Sequence, residues 1–161
     1  MSVNRRKLQV LQLAEKLEGE SRLGMERRYY QHGVTTIFQH SINVACVSCK
    51  IAEKYHLDVD YYALIRGALL HDYFLYDWHE KNPAHSPHGF KHPRFALDNA
   101  RQDCSLTAME ENIILRHMFP LTPAFPAYKE SWIVSLADKI CASAEMYQNY
   151  KQRLFASASA K

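Results

Sequence analysis

The chain has 161 residues, of which 47% are hydrophobic and 23% charged, and its formal net charge is +3. This length is typical of one domain with a single core. The charges are spread along the sequence without a long basic block, which argues against a dedicated nucleic-acid-binding protein. No run of about 18 apolar residues predicts a membrane span, and no apolar signal segment follows the basic start, so a cytoplasmic location is expected.

Apolar residues recur at helical spacing in the first half of the chain. Over residues 8–17 this spacing predicts a first helix, and a second apolar series predicts a helix over about 38–55. Asp58 or Asp60 is suited to cap a third helix, which leads into the dipeptide His71-Asp72. No segment of useful length shows the alternation that is typical of a strand.

Prolines and capping residues mark the helices of the second half. Residues 77–93 contain three prolines, a glycine and four histidines, and they predict a loop after which a helix resumes. Thr107 and Glu110 predict a capping box at the start of the next helix. Prolines within residues 119–128 end that helix, and a last long helix is predicted from about Ser131 to Leu154.

These elements predict an all-α fold with one domain. We expect a single helical bundle over residues 1–156, with its characteristic motifs within residues 35–140. The last residues, 157–161, contain little that could be buried and are expected to form a frayed tail. No internal repeat divides the chain.

His71 and Asp72 stand side by side within the apolar run LLHDYFLYDW. Burying an imidazole and a carboxylate costs several kcal/mol unless both groups find partners. A hydrogen-bonded structural pair is one solution, and a metal ion is the other. Further residues favour the metal, because each lies at the end of a predicted helix or inside one, with apolar neighbours, and such positions can converge inside a bundle. In chain order they are His40, His92, His117 and Asp138.

This order, H…HD…H…H…D, resembles the HD superfamily of metal-dependent phosphohydrolases. Five segments carry the resemblance: TTIFQHSINVA (35–45), GALLHDYF (67–74), KHPRFAL (91–97), ILRHMFP (114–120) and SLADKI (135–140). The resemblance implies a helical bundle of the HD-domain type with a metal centre in its interior. The chain lacks the Gly-Tyr-Pro signature of cyclic-di-GMP phosphodiesterases, which argues against that substrate.

The resemblance also implies a set of metal ligands, for which His88 is an alternative to His92. Imidazoles and carboxylates suit two divalent transition-metal ions, such as Fe, Mn, Zn, Co or Ni. The two oxygens of Asp72 can bridge two ions, and a hydroxide bridging the ions is the expected nucleophile, so no Ser or Cys nucleophile is needed. The implied ligands are His40, His71, Asp72, His92, His117 and Asp138.

A phosphoryl group also needs fixed cations around its outer oxygens. Lys139, beside Asp138, is the first candidate, and we assign catalytic roles to Lys139 and Asp72. The other candidates for substrate binding are Arg94, His79 and His32, with Lys91 and Arg116 as weaker ones.

The predicted function is that of a metal-dependent phosphohydrolase acting on a small-molecule phosphate ester, with a nucleotide or dinucleotide as the favoured substrate. Small HD proteins with the same ligands include enzymes that split diadenosine tetraphosphate. Two alternatives share the ligand set, namely a mixed-valence di-iron oxygenase and a non-catalytic regulatory module. Cys46 and Cys49 form a C-x-x-C motif, but the chain has no second such pair, so we interpret them as buried or half-buried thiols.

Overall fold

The computed structural model of the protein describes residues 2–80 and 82–159. Within them the fold is a bundle of helices, which confirms the predicted all-α class, and a small hairpin is added to it. The division into one domain and a tail at 157–161, which lies partly outside the described residues, stays a prediction. In chain order the elements are α1 (Ser2–Glu20), a 3₁₀ helix (Leu23–Arg28), β1 (Tyr30–His32), β2 (Thr35–Thr36), α2 (Ile37–Lys54), α3 (Tyr61–Leu70), α4 (His88–Asp103), α5 (Ala108–Arg116) and α6 (Lys129–Ser159).

Helix α3 lies at the centre of the bundle. Its sequence YYALIRGALL is almost entirely apolar, and seven of its ten residues are buried. It packs against α1, α2, α5 and α6, because a helix that is apolar on most sides must be covered on most sides. The turn that follows α3 carries His71 and Asp72, and it therefore lies in the interior of the protein.

Capping residues begin two of the helices as the sequence predicts. Asp60 begins α3, since its carboxylate accepts hydrogen bonds from the backbone N–H groups of Tyr62 and Ala63 at 2.9 and 3.1 Å. Thr107 and Glu110 form the predicted capping box of α5. The Thr107 hydroxyl accepts from the Glu110 N–H at 3.2 Å, and the Glu110 carboxylate accepts from the Thr107 N–H at 2.7 Å.

The hairpin β1–β2 corrects the expectation that the chain has no strands. The two strands pair antiparallel, and Gly33 in the turn between them has a φ of 61°, which glycine adopts without steric cost. The turn lies so close to α6 that a Cβ atom on Gly33 would clash with the side chain of Asn149. Strands of two and three residues are too short to leave an alternating pattern in the sequence.

Two helix boundaries differ from the prediction. Helix α4 begins at His88 rather than after Pro93, because Pro87 occupies the N-cap position and Pro93, in the second turn, removes only one helical N–H group. Helix α6 begins and ends outside the predicted Ser131–Leu154 range and spans 31 residues. Among the described helices, none combines the length and the apolar character that crossing a bilayer requires.

Gly67→Ala is predicted to lower the free energy of unfolding by about 1–3 kcal/mol, the usual cost of overpacking a core. Helices α3 and α5 approach so closely that an added Cβ would lie 2.6–2.9 Å from three side-chain atoms of Ile113. Gly19→Ala in α1 is the matched control, because nothing lies within 4 Å of its Cβ position. This control should raise the free energy of unfolding by up to about 1 kcal/mol. Urea unfolding followed by circular dichroism measures both changes, and equal effects would contradict close packing at Gly67.

Candidate metal centre

Side chains from five helices and the turns that follow them meet beside the end of α3. His71 follows the last residue of α3 as its C-cap, and His117 follows the last residue of α5 in the same way. The other side chains come from the first turn of α2, the turn after His71, and the interiors of α4 and α6. All six predicted metal ligands are buried here: His40, His71, Asp72, His92, His117 and Asp138.

The first group of ligand atoms surrounds one oxygen of Asp72. The Oδ2 atom of Asp72 lies 3.4 Å from Nε2 of His71 and 3.9 Å from Nε2 of His40. The Oδ1 atom of Asp138 lies 3.1 Å from Nε2 of His40 and 3.7 Å from Nε2 of His71. Two imidazole nitrogens and two carboxylate oxygens therefore face one small volume.

The second group surrounds the other oxygen of the same carboxylate. The Oδ1 atom of Asp72 lies 3.2 Å from Nε2 of His92 and 3.5 Å from Nε2 of His117. These two imidazole nitrogens are 2.8 Å apart. Each group could hold a metal ion, and Asp72 belongs to both groups.

The other ring nitrogen of each histidine fixes its orientation. Each Nδ1 lies within hydrogen-bond distance of an acceptor outside the cluster, so a neutral ring that donates there directs the lone pair of its Nε2 into the cluster. The acceptors are Glu145 Oε2 for His40 at 3.0 Å, the carbonyl of Ala68 for His71 at 2.7 Å, the carbonyl of His88 for His92 at 3.0 Å, and the carbonyl of Ile114 for His117 at 2.7 Å.

These side chains fit a metal centre because the cluster has more hydrogen-bond acceptor atoms than protons that could satisfy them. His71 Nε2 and Asp72 Oδ1 are buried and have no hydrogen-bond partner, a situation that costs about 1–3 kcal/mol for each group. The Nε2 atoms of His92 and His117 lie 2.8 Å apart, and two lone pairs that face each other at this distance repel unless one ring carries a proton there or a cation lies beside them. Histidine nitrogens and carboxylate oxygens are the ligands that divalent transition metals accept, so such ions would satisfy all of these atoms.

Buried carboxylates make the cluster electrostatically negative. Burial alone would raise the pKa of Asp72, but the charge of His71 and the adjacent imidazoles of His117 and His92 hold that pKa well below its usual range. Burial alone would lower the pKa of His40, but hydrogen bonds to Asp138 and Glu145 and the charge of Asp72 raise it to about 10. In the metal-free protein, a proton on His40 thus supplies part of the positive charge that a metal would bring.

Two residues that sequence reasoning missed hold the ligands in place. Glu145 accepts the hydrogen bond from His40, and it lies seven residues, or about two helical turns, after Asp138 on α6. That spacing could have identified it. Gln31 in β1 donates a hydrogen bond from its amide to Asp72 Oδ2 at 2.7 Å. Nothing in the sequence around Gln31 indicates this contact.

A cavity of about 550 Å³ opens beside the cluster. Four metal-ligand candidates, Asp72, His92, His117 and Asp138, form part of its wall, so a molecule in the cavity could reach both ligand groups. The volume lies within the range of small-molecule binding sites. Much of the remaining wall is apolar or aromatic, and these residues are Trp78, Met118, Pro120, Leu121 and Ala142.

Lys139 lines the cavity, but its hydrogen-bond donors are already engaged. The ammonium group donates to the carbonyl of His117 at 2.9 Å, and to the carbonyl and hydroxyl oxygens of Ser135, both at 3.1 Å. An ammonium has three N–H donors, so these contacts use all of them. Burial also lowers the pKa of Lys139. In this arrangement Lys139 fixes the turn at His117 and acts on the cavity through its charge.

The structure places the other predicted substrate-binding residues in different surroundings. His32 lines the cavity together with Lys139. His79 is exposed and lies outside this cavity, with its ring stacked on Trp78 at a centroid distance of 4.0 Å. Arg94 is exposed on α4, where it pairs with an aspartate one turn later at 3.3 Å, and it does not line the cavity.

Of the two histidines considered at the start of α4, His92 is the one whose imidazole nitrogen lies within the second group. His88 instead stacks on His92 at a centroid distance of 4.5 Å and forms part of the cavity wall. Its Nδ1 lies 3.0 Å from the hydroxyl of Tyr76. His88 therefore supports the ring of His92 and contributes to the surface of the cavity.

The fold and the cluster together define a helical domain with a buried histidine–aspartate centre. The model of the HD domain family matches residues 37–143, which contain all six predicted ligands. The chain therefore belongs to the HD domain family, whose members are mostly metal-dependent hydrolases. Among curated proteins and among solved structures, none is similar enough to this chain to count as a match.

Glu145→Gln is predicted to lower the affinity for divalent metal about 10- to 100-fold, the usual effect of losing a partner of a ligating histidine. The two carboxylate oxygens of Glu145 accept from His40 and from the amide of Asn43, at 3.0 and 3.2 Å. A glutamine has one acceptor oxygen, so one of these donors loses its partner. Competition with a fluorescent chelator measures the affinity. Glu111→Gln on α5 is the control, because Glu111 pairs with Arg101 and not with a candidate ligand. Equal affinities for both variants would contradict this role.

Cys46→Ser and Cys49→Ser are predicted to leave the metal content unchanged. Neither cysteine belongs to a potential metal-binding group within the described part of the chain. Burial raises the pKa of the Cys49 thiol to about 12, which disfavours the thiolate that a metal requires. Elemental analysis of the purified variants tests the prediction. Loss of metal from either variant would contradict it and would indicate that the C-x-x-C motif binds metal.

Proposed function

We propose that the protein is a metal-dependent phosphohydrolase that cleaves a phosphate ester, with nucleotides and dinucleotides as the favoured substrates. The observation that supports this most strongly is the pair of ligand groups that share the carboxylate of Asp72 and border a cavity. Membership of the HD domain family supports the same reaction class. The proposed ligands of two divalent ions are His40, His71, Asp72, His92, His117 and Asp138.

The chain's own residues hold the reacting groups in position. When bound, divalent ions supply a water of lowered pKa and positive charge for the phosphate oxygens. The outward Nδ1–H bonds keep four imidazoles aligned before any ion arrives, and Asp72 offers one oxygen to each group. The half-buried charge of Lys139 adds a fixed positive potential beside the cavity and favours an anionic substrate.

The size and the lining of the cavity support an organic phosphate rather than inorganic phosphate as the substrate. A volume of about 550 Å³ is much larger than a phosphate group needs, and it falls in the range that accommodates nucleotide-sized ligands. The apolar wall suits the organic part of the ester. Trp78 and His88 stack on each other at 5.1 Å in that wall, and aromatic rings of this kind provide a surface for a nucleobase.

Asp72→Asn is predicted to abolish metal-dependent phosphate release, because the amide replaces one of the two carboxylate oxygens and removes the negative charge that both ligand groups share. Release would be measured with nucleotides, dinucleotides and simple phosphomonoesters, with Mn²⁺, anaerobic Fe²⁺ and other divalent ions. Asp98→Asn is the matched control, since Asp98 is a surface carboxylate paired with Arg94. Circular dichroism should show that both variants keep the helical fold.

Two results would contradict the proposal. Full turnover and full metal content in Asp72→Asn would remove this residue from the centre. Absence of phosphate release from a protein that carries two metals per chain would favour the di-iron oxygenase that shares the ligand order. Iron content and oxygen uptake then distinguish that alternative from a regulatory module.

A further inference from the structure

A second groove adjoins the metal cavity on the side of the hairpin. It has a volume of about 270 Å³, and it shares the side chains of Gln31, His32 and Trp78 with the cavity. Gln31 also donates a hydrogen bond to Asp72, so the shared wall reaches the metal centre itself. A ligand that fills the cavity can therefore extend past these side chains into the groove.

Arg153 lines the groove, and no carboxylate in the described part of the groove neutralises its positive charge. Its outer wall comes from α6 and includes Asn149, Tyr150 and Arg153. None of the described residues that line the groove is an aspartate or a glutamate. Arg153 forms no ion pair with any residue in the described ranges. A guanidinium without an ion-pair partner can donate two parallel hydrogen bonds to a phosphate or a carboxylate.

The backbone fixes the position of this group relative to the metal centre. The turn at Gly33 packs directly against Asn149, and Arg153 lies one helical turn beyond Asn149 on the same face of α6. Glu145, which holds His40, lies eight residues before Arg153 on the same helix, a rise of about 12 Å. This rise between two backbone positions of α6 exceeds the size of one phosphate group and is comparable to the length of a nucleotide.

We infer that the substrate carries a second anionic group, a phosphate or a carboxylate, which Arg153 binds in this groove. The inference rests on the proposed function, because that function places the scissile phosphate ester at the metal centre. His32 and Trp78 then flank the part of the substrate that joins its two anionic groups. The enzyme thereby selects esters whose anionic ends are about as far apart as the metal centre and Arg153.

Two ligands that differ only in the second phosphate test this inference. These are hexyl phosphate and 1,6-hexanediol bisphosphate, titrated against the metal-loaded protein. Trp78 in the shared wall reports binding by its fluorescence when the other tryptophan is removed by Trp132→Phe. The parent protein should bind the bisphosphate at least about 10-fold more tightly, as expected for one charge-assisted contact. Arg153→Gln should abolish this preference and leave the affinity for hexyl phosphate unchanged.

Lys151→Gln is the matched control, because Lys151 lies on the same exposed helix but over the ring of Tyr147 and outside the groove. It should keep the preference for the bisphosphate. A preference that survives in Arg153→Gln, or equal binding of both ligands by the parent protein, would overturn the inference. Phosphate release with no Arg153-dependent preference would leave the proposed function intact. Arg153-dependent binding without metal-dependent phosphate release would overturn the proposed function alone.

Discussion

The outward hydrogen bond from each cluster histidine determines what the centre of this protein can bind. With every Nδ1 directed at an acceptor outside the cluster, four Nε2 atoms converge on the two oxygens of Asp72. Neutral imidazoles and carboxylates arranged in this way repel one another in a buried site. Such an arrangement is stable only if positive charge is supplied and if the surrounding structure prevents the side chains from moving apart.

The helical bundle provides that restraint. Helix α3 is buried on most sides, so the turn after it cannot move away from the interior without exposing apolar surface. Helices α2 and α6 pack against each other and carry His40 and its partner Glu145 on facing sides. The same contacts that stabilise the core therefore set the distances between the candidate ligands. In this respect the apolar packing and the polar cluster depend on each other.

The sequence predicted the ligand candidates better than it predicted their surroundings. The dipeptide His71-Asp72 was recognisable because a charged pair within an apolar run needs a partner. The contact of Gln31 with Asp72 joins residues 41 positions apart through a hairpin whose two strands have only five residues in all, and no local pattern encodes it. Pro93 suggested a helix start because proline favours first turns, yet tertiary packing tolerates it in the second turn of α4. The engagement of Lys139 by backbone carbonyls likewise appears only in three dimensions.

His71 and His117 are each anchored to a carbonyl three residues earlier in the chain, at the end of their own helices. Their ring orientation therefore depends on a single helical turn and not on the segments that follow. Those segments, residues 73–87 and 118–128, supply part of the cavity wall. Changes in their length or composition can reshape the pocket while the ligating rings stay in place. A chain built in this way can change the shape of its cavity without rebuilding the candidate metal centre, since the two features are encoded in separate stretches of sequence.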